Sequence, residues 1–324
     1  MNHRIRWKTV GDKNTAGSRL RAFIPIKILS SRGLDCGLYS TPDDADVIIF
    51  QKTYTEQDIL LAKELRSRKK KVVFDLCDNH YYNPDNSPSL AERASRLSRM
   101  VEVCDAVIVS STELKKYVKH PSVFLVNDAV EEVQQNAVRK FVSGIFSSQR
   151  SSGKPSIVWF GNSGSENPRF GMIDLVEIMH ALNEVNSRQP ILLNVISDSQ
   201  PLFQKYTAGA KFETRFHVWR RDSFPYLLSQ NDLCIIPITL NPFTACKTAN
   251  RVIVSLLCGV PVVTDMIPSY AEFSPFIRSG NWTNDILESL KGDKGKVSNG
   301  VRYIYDRYND ERVFSEWNSV IRSV

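Results

Sequence analysis

The chain has no long apolar run. No stretch approaches the ~20 consecutive apolar residues that a membrane-spanning helix needs, so an integral membrane protein is not expected. The first residues, Met1–Lys13, are charged and lack the apolar centre of a secretory leader. The six cysteines (Cys36, Cys77, Cys104, Cys234, Cys246, Cys258) are scattered, with no C-x-x-C pair. That excludes a disulfide scaffold or a zinc ribbon and leaves core thiols in a reducing compartment. His3, His120 and His180 fall in separate segments without ligand spacing, and Asp43-Asp44-Ala45-Asp46 is a short D-x-D that reads as a polar turn before a buried strand. No metal is expected. Internal repeats and low-complexity tracts are also missing. A cytoplasmic protein is the expectation.

What is present is an ordinary globular composition, 42% hydrophobic and 24% charged, over a length that suits two domains. The net charge of +7 favours anionic ligands or surfaces without naming one. Its densest run, Arg66–Lys71, falls at the end of a helix, where basic residues complement the helix dipole. A peripheral contact with anionic membrane is the other reading of that run.

Short β-branched runs alternate with amphipathic helical periods along the whole chain, the pattern of α/β folds with parallel sheets. In the first half, strands are expected at Ile5–Val10, Asp46–Phe50, Lys71–Leu76, Ala106–Ser110 and Val123–Val126. The Ser-rich stretch Phe146–Pro155 reads as a linker. Beyond it the pattern restarts with strands at Ser156–Phe160, Ile191–Ile196, Thr214–Val218 and Leu233–Pro237. Two doubly wound, Rossmann-like domains facing a cleft follow, residues 1–150 and 151–324, the last helix free to pack back on the first domain. Ligands in such sheets sit at the carboxyl ends of the strands.

Asn241–Val263 is the richest stretch. Pro242 opens a loop, a helix is expected from Lys247-Thr248 with Thr248 as N-cap, and Gly259 ends it. Val260–Val263 then resembles a central parallel strand. Lys247, Thr248, Asn250 and Arg251 crowd the start of the helix. Two cations oppose the dipole there, so they call for an anion or a nearby carboxylate. A phosphate or diphosphate site is the functional reading, and Gly161-Asn162-Ser163-Gly164 is a second phosphate-approach turn. In the first half, Asp78, Asn79 and His80 follow a buried strand. His80 is a candidate for contacting a sugar or acceptor hydroxyl, and Asp78 for general base or for orienting His80. A plain turn is the alternative.

Four motifs of the second half carry a resemblance: Asp232–Pro237 (DLCIIP), Lys247–Arg251 (KTANR), Cys258–Val263 (CGVPVV) and Pro268–Phe273 (PSYAEF). From Trp159 to Phe273 the chain resembles the donor domain of GT-B glycosyltransferases, above all the group-1, family-4-like enzymes with a K-[ST]-x-N-R turn. Ser18–Arg21, Phe50–Lys52 and Phe74–Asn79 resemble the acceptor domain of that subset. The resemblance implies that Lys247 and Arg251 hold the diphosphate of a nucleotide sugar, a UDP- or GDP-sugar co-substrate, with no separate cofactor. Thr248, Asn250, Gly161, Asn162 and Ser163 would line that pocket, and Phe216, His217, Val218 and Trp219 would meet the base. Gly17, Ser18 and Arg19 would lie under the donor phosphates on the acceptor side, beside Asn79, with Ser18 otherwise a helix N-cap. Transfer to the hydroxyl of a saccharide or lipid-linked saccharide, with retention, is implied. The paired glutamates usual in retaining members would fall at Cys246 and Val254, where no carboxylate stands. A degenerate nucleotide- or polyanion-binding protein, or transfer to modified bases in nucleic acid, are the alternatives.

Overall fold

The computed structural model describes residues 3–131 and 153–324, so most of the expected linker, Phe146–Pro155, lies outside the described residues. The chain divides into two compact units. The first holds residues 1–131 together with Ala245–Thr248 and Asp306–Val324, the second residues 132–244 and 249–305.

The first unit is built on a six-stranded parallel sheet. Its strands are β1 (Ile5–Thr9), β2 (Cys36–Leu38), β3 (Val47–Gln51), β4 (Lys71–Leu76), β5 (Ala106–Val109) and β6 (Val123–Leu125), in the order β2-β1-β3-β4-β5-β6. Both faces are covered, which explains the unbroken apolar runs. Ile48, Phe50, Phe74 and Val107 point into one buried cluster. Their alternate neighbours Val47, Ile49, Val73 and Ile108 point into another. That second cluster takes Val313, Trp317, Val320 and Ile321 from helix Asp310–Ser323. Trp317 meets Trp7 edge to face at 5.5 Å, and burying such a side chain contributes roughly 1.5–3 kcal/mol. The expected tail helix is two, Lys294–Arg307 and Asp310–Ser323, the second capped by the Asn309 side chain.

The chain leaves β1 for helical segments Ala16–Ser18, Arg19–Phe23 (a π-turn) and Ile24–Ser31. It leaves β3 for helix Glu56–Ser67, which opens with a Thr55/Asp58 capping box. Because strand order reverses between β1 and β3, the ligand crevice of this unit is expected beside their carboxyl ends. The basic run is largely neutralised where it lies: Arg66 pairs with Asp105, Arg68 with Glu64 and Asp43, and Lys70 with Asp46.

The second unit has a five-stranded parallel sheet and a small hairpin. The strands are β7 (Ser156–Phe160), the hairpin β8 (Gly164–Glu166) and β9 (Arg169–Gly171), β10 (Leu192–Ser197), β11 (Glu213–Val218), β12 (Leu233–Ile236) and β13 (Val262–Thr264). Sheet order is β11-β10-β7-β12-β13, so the reversal here falls between β7 and β12. The expected central strand at Val260–Val263 is therefore corrected: β13 ends the sheet. A bridge to Arg278 shields its outer side, and that is why the run can stay apolar. Helix Asn250–Leu257 ends as expected at Gly259, whose φ is +79°. Val260 N–H bonds to Ser255 C=O and Gly259 N–H to Leu256 C=O, both at 2.9–3.0 Å, which is a Schellman closure.

Candidate functional site

In the first unit, polar groups gather where β1, β3 and β4 end. Arg21 is buried and grips Asp75 with Nε at 3.2 Å and with Nη2 at 2.5 Å. Its Nη1 donates to Val126 C=O at 2.5 Å and Asp128 at 3.2 Å. Burial opposes the charge on Arg21, but Asp75 and Asp128 outweigh it and raise its pKa above the ordinary arginine value. The ring of Trp317 lies 5.6 Å from the guanidinium. Asp128 in turn accepts from Thr248 Oγ1 at 2.7 Å. Thr248 is thus no N-cap. The helix starts at Asn250, and its N-cap residue is Ala249. Ser18 stands at the N-cap of Arg19–Phe23 but its side chain does not cap it: the hydroxyl donates to Gln51 Oε1 at 3.0 Å and accepts from Gly11 N–H at 3.1 Å. Gly17 packs over Gln51 and Cys77. Arg19 is pinned by Glu131 and by the carbonyls of Lys13 and Asn14.

Asp78 sits between two ammonium groups, those of Lys52 and Lys247. Burial would raise its pKa, but Lys247 and Lys52 hold it far below the usual carboxylate range. So strongly ionised a carboxylate is a poor base. Asp78 does not hold the His80 ring either, because Nδ1 of His80 lies 2.6 Å from the Tyr54 hydroxyl. Burial, then the charge of Lys52, pushes His80 down to about 3, so the imidazole is neutral at physiological pH. Asn79 is buried; its side-chain carbonyl accepts from Tyr81 N–H at 3.2 Å. Lys247 therefore faces a carboxylate of the first unit, the compensation that a cation near a helix start requires, and uncharged Thr248 faces another.

Arg251 has none. It lies in the first turn of Asn250–Leu257, at the β7/β12 reversal, 5.1 Å from the Trp159 ring and 5.3 Å from that of Phe160. Its Nε and Nη2 are buried and have no hydrogen-bond partner among the described residues. Burial lowers its pKa from the usual arginine value, with Tyr270 and Cys234 opposing. A Cβ built on Gly161 would stand 3.3 Å from Trp159 and 3.8 Å from the Arg251 guanidinium. Glycine here keeps the space before that cation open.

The glycine loop itself departs from expectation. Gly161 N–H bonds to Ile196 C=O, Ser163 N–H to Asp198 and Gly164 N–H to Asn162 Oδ1. Asn162 also donates to Asp198 at 2.9 Å. Three amides expected to face a phosphate are thus spent inside the loop, with a carboxylate at its centre. Gly164 is required for the hairpin: its φ is +83°, and a Cβ would lie 2.0 Å from Phe170 C=O. At the edge strand β11, His217 Nε2 meets Asn194 at 3.0 Å, Val218 is exposed, and Trp219 packs on Phe224 at 6.2 Å.

The D-x-D acids are ion-paired, Asp44 with Arg6 and Asp46 with Arg4. Cys246 is buried in the apolar cluster of the first unit, and its C=O accepts from Ser111 at 2.8 Å, a poor setting for a glutamate. Arg21, Gln51 and Lys52 lay inside stretches that carried the resemblance but were given no role of their own, and Tyr54 and Asp198 were not singled out.

No family model and no curated protein sequence matches the chain. Solved structures do. HepE from Anabaena, in complex with UDP and glucose, superposes with TM-score 0.65 over 99% of this chain and 100% of that one, at 13% identity. A glycosyltransferase from Rickettsia africae gives 0.66 over 98% and 97% at 11% identity. A UDP-forming α,α-trehalose-phosphate synthase from Burkholderia xenovorans gives 0.56 over 88% and 74% at 13% identity. The chain has the α/β fold of these GT-B glycosyltransferases.

Proposed function

We propose that the protein is a glycosyltransferase that moves a sugar from a nucleotide-diphosphate sugar to an acceptor hydroxyl. The second unit binds the donor and the first the acceptor. The observation that carries the reading is the unfilled guanidinium edge of Arg251. It combines three features that favour a diphosphate: a bidentate donor pair, the start of a helix, and the reversal point of a parallel sheet. As the bond between the sugar and the diphosphate breaks, charge collects on the leaving oxygens. A fixed cation stabilises that charge without reorganising. The positive charge comes from the chain itself, so the reaction is metal-independent. The acceptor proton passes to the leaving phosphate as the new C–O bond forms, giving retention.

HepE is solved with UDP and glucose, and the Burkholderia synthase is UDP-forming, which supports a UDP-sugar as donor. On the acceptor side, neutral His80 is a hydrogen-bonding group for a saccharide hydroxyl. The Lys52–Asp78–Lys247 triplet, two cations on one carboxylate, keeps that side net positive. A saccharide or lipid-linked saccharide fits as acceptor. Cys246 and Val254, standing where carboxylates are usual, favour a second reading, a nucleotide-binding protein without turnover. Thermal shift against UDP, GDP and their sugars, with sugar release from the donor that binds, separates the two. The expected result is a midpoint rise with one nucleotide series, lost in Arg251→Ala, and sugar release lost with it. Binding without release would favour the second reading. No rise with any nucleotide would sink both.

A further inference from the structure

The Nε/Nη2 edge of arginine is a two-pronged donor that fits both oxygens of a carboxylate or two of a phosphate. This protein uses it repeatedly. Arg4 closes it on Asp46, with bonds of 3.2 and 3.0 Å. Arg6 closes it on Asp44 at 2.9 and 3.2 Å, and Arg278 on Asp293 at 2.7 and 2.8 Å. Arg21 does the same on Asp75. Among the described residues, two arginines hold the same edge covered and without a hydrogen-bond partner: Arg251 and Arg93. Arg251 belongs to the donor reading above. Arg93 does not, and it lies in the other unit, on helix Pro88–Val103.

The surroundings of Arg93 narrow what would fill it. Along the same helix, Arg96 pairs with Glu92 and Arg99 with Glu56, so carboxylates are at hand and Arg93 takes neither. Its charge acts on the Tyr54 hydroxyl and on His80, where Lys52 and Lys247 also act. The nearby carboxylate, Asp78, is already held between those two lysines. A two-pronged cation whose covered edge has no hydrogen-bond partner, acting on the Tyr54–His80 pair while each nearby carboxylate is held by another cation, has the chemistry of an oxyanion receptor.

Resting on the glycosyltransferase reading, we propose that Arg93 receives an oxyanion carried by the acceptor. The acceptor is then an anionic sugar, a phosphate monoester or a uronic acid, whose hydroxyl is presented beside His80.

The test uses the full chain with UDP present and titrates inorganic phosphate, glucose 6-phosphate, glucuronate and, as neutral control, glucose. At least one anionic probe is expected to bind the wild type and to weaken tenfold or more in Arg93→Ala. Arg93→Lys, which keeps the charge and loses the fork, should recover less than a third of the effect. Dependence confined to the phosphates would assign a phosphate monoester, and dependence confined to glucuronate a carboxylate. Without ligand, Arg93→Met should melt no lower than wild type, since it removes an unpaired buried charge; a clear fall would mean a structural role and overturn the proposal. So would anionic probes that bind wild type and Arg93→Ala alike, or that fail to bind either, while the Arg251-dependent UDP shift is intact. Loss of that UDP shift in the wild type would instead strike the glycosyltransferase reading itself.

Discussion

Arg21 in the first unit and Arg251 in the second are near counterparts with opposite fates. Arg21 is buried and Arg251 has a covered Nε/Nη2 edge, each follows a strand that flanks its sheet's reversal point, and each has its guanidinium 5–6 Å from a tryptophan ring. Arg21 closes on Asp75, Asp128 and a backbone carbonyl. The Nε and Nη2 of Arg251 have no hydrogen-bond partner among the described residues. A folded chain can tolerate the first arrangement for the sake of structure alone. The second leaves a desolvated cation uncompensated, so it makes sense when a ligand completes it.

The comparison breaks most visibly under substitution. Arg21→Met leaves Asp75 and Asp128 buried without their cation, and a loss of about 3–5 kcal/mol is expected, measured by urea unfolding monitored by circular dichroism. Nucleotide binding by the second unit should be kept to the extent that the protein folds. Arg251→Met removes a charge that has no partner, so stability should stay within about 1 kcal/mol of wild type or rise, while the nucleotide-induced midpoint shift vanishes. If Arg251→Met unfolds the protein as Arg21→Met does, the two guanidiniums are both structural and the contrast is false.

The glycines of the second unit sharpen the point. Gly164→Ala forces a positive φ on a residue with a Cβ and drives that carbon into Phe170 C=O. The backbone strain alone amounts to about 1–3 kcal/mol. Gly161→Ala also takes a positive φ, +158° at the margin of the extended region, but its Cβ meets only the edge of Trp159 and the Arg251 guanidinium rather than backbone. Its effect should fall on nucleotide affinity, read by titration calorimetry, more than on melting temperature. Equal effects of the two on stability would show that Gly161 is only another packing glycine.

How much of this could be read from the chain follows from what each feature rests on. Lys71–Leu76 and Ser156–Phe160 were legible as buried strands because both faces of each sheet are covered and Val72–Phe74 and Ile157–Phe160 are unbroken apolar runs. Strand β2, three residues with one glycine, and the β8–β9 hairpin, which begins and ends on glycine, carry no such signal. The edge position of β13 was hidden, since Arg278 shields it and so permits a central-strand composition. Among the candidate site residues, Arg251 does fall in the first turn of a helix, where the local sequence put it. Lys247 and Thr248 follow the same local logic, yet their carboxylates, Asp78 and Asp128, lie 169 and 120 residues away. The ion pair of Arg21 with Asp75 spans 54 residues. Pairings of that range are products of topology, not of any local pattern.

The two histidines near strand ends extend the comparison to pH. His80 in the first unit is pushed down to about 3 from 6.5 by burial and Lys52. His217 in the second is also lowered by burial, with Arg215 adding to it. A histidine whose folded pKa is depressed stabilises the fold fully above its unfolded value. That contribution is lost as pH falls below about 6.5, because the unfolded chain binds the proton and the folded one does not. For His80 the slope is up to about 1.4 kcal/mol per pH unit, so about 2 kcal/mol should go between pH 6.5 and 5. His80→Gln should flatten most of that loss in urea titrations at a series of pH values, leaving a residue from His217. An unchanged slope would mean that His80 is protonated in the folded state, and its role as a neutral hydrogen-bonding group would fall.

The smallest effect is expected at the basic run. Arg68 pairs with Glu64 at 2.7 Å and Asp43 at 3.6 Å, and all three side chains are about half exposed or more. Arg21 and Arg68 belong to the same unit and both meet carboxylates; what differs is water. Solvent screens the pairs of Arg68, and holding long side chains in one geometry costs entropy that nearly cancels the attraction. Arg68→Gln should therefore shift stability by no more than about 0.5 kcal/mol in urea unfolding at low salt, and by less at 0.5 M salt. A loss above 1 kcal/mol that persists in salt would show the run to be structural, and burial would no longer account for the distance between Arg21 and Arg68.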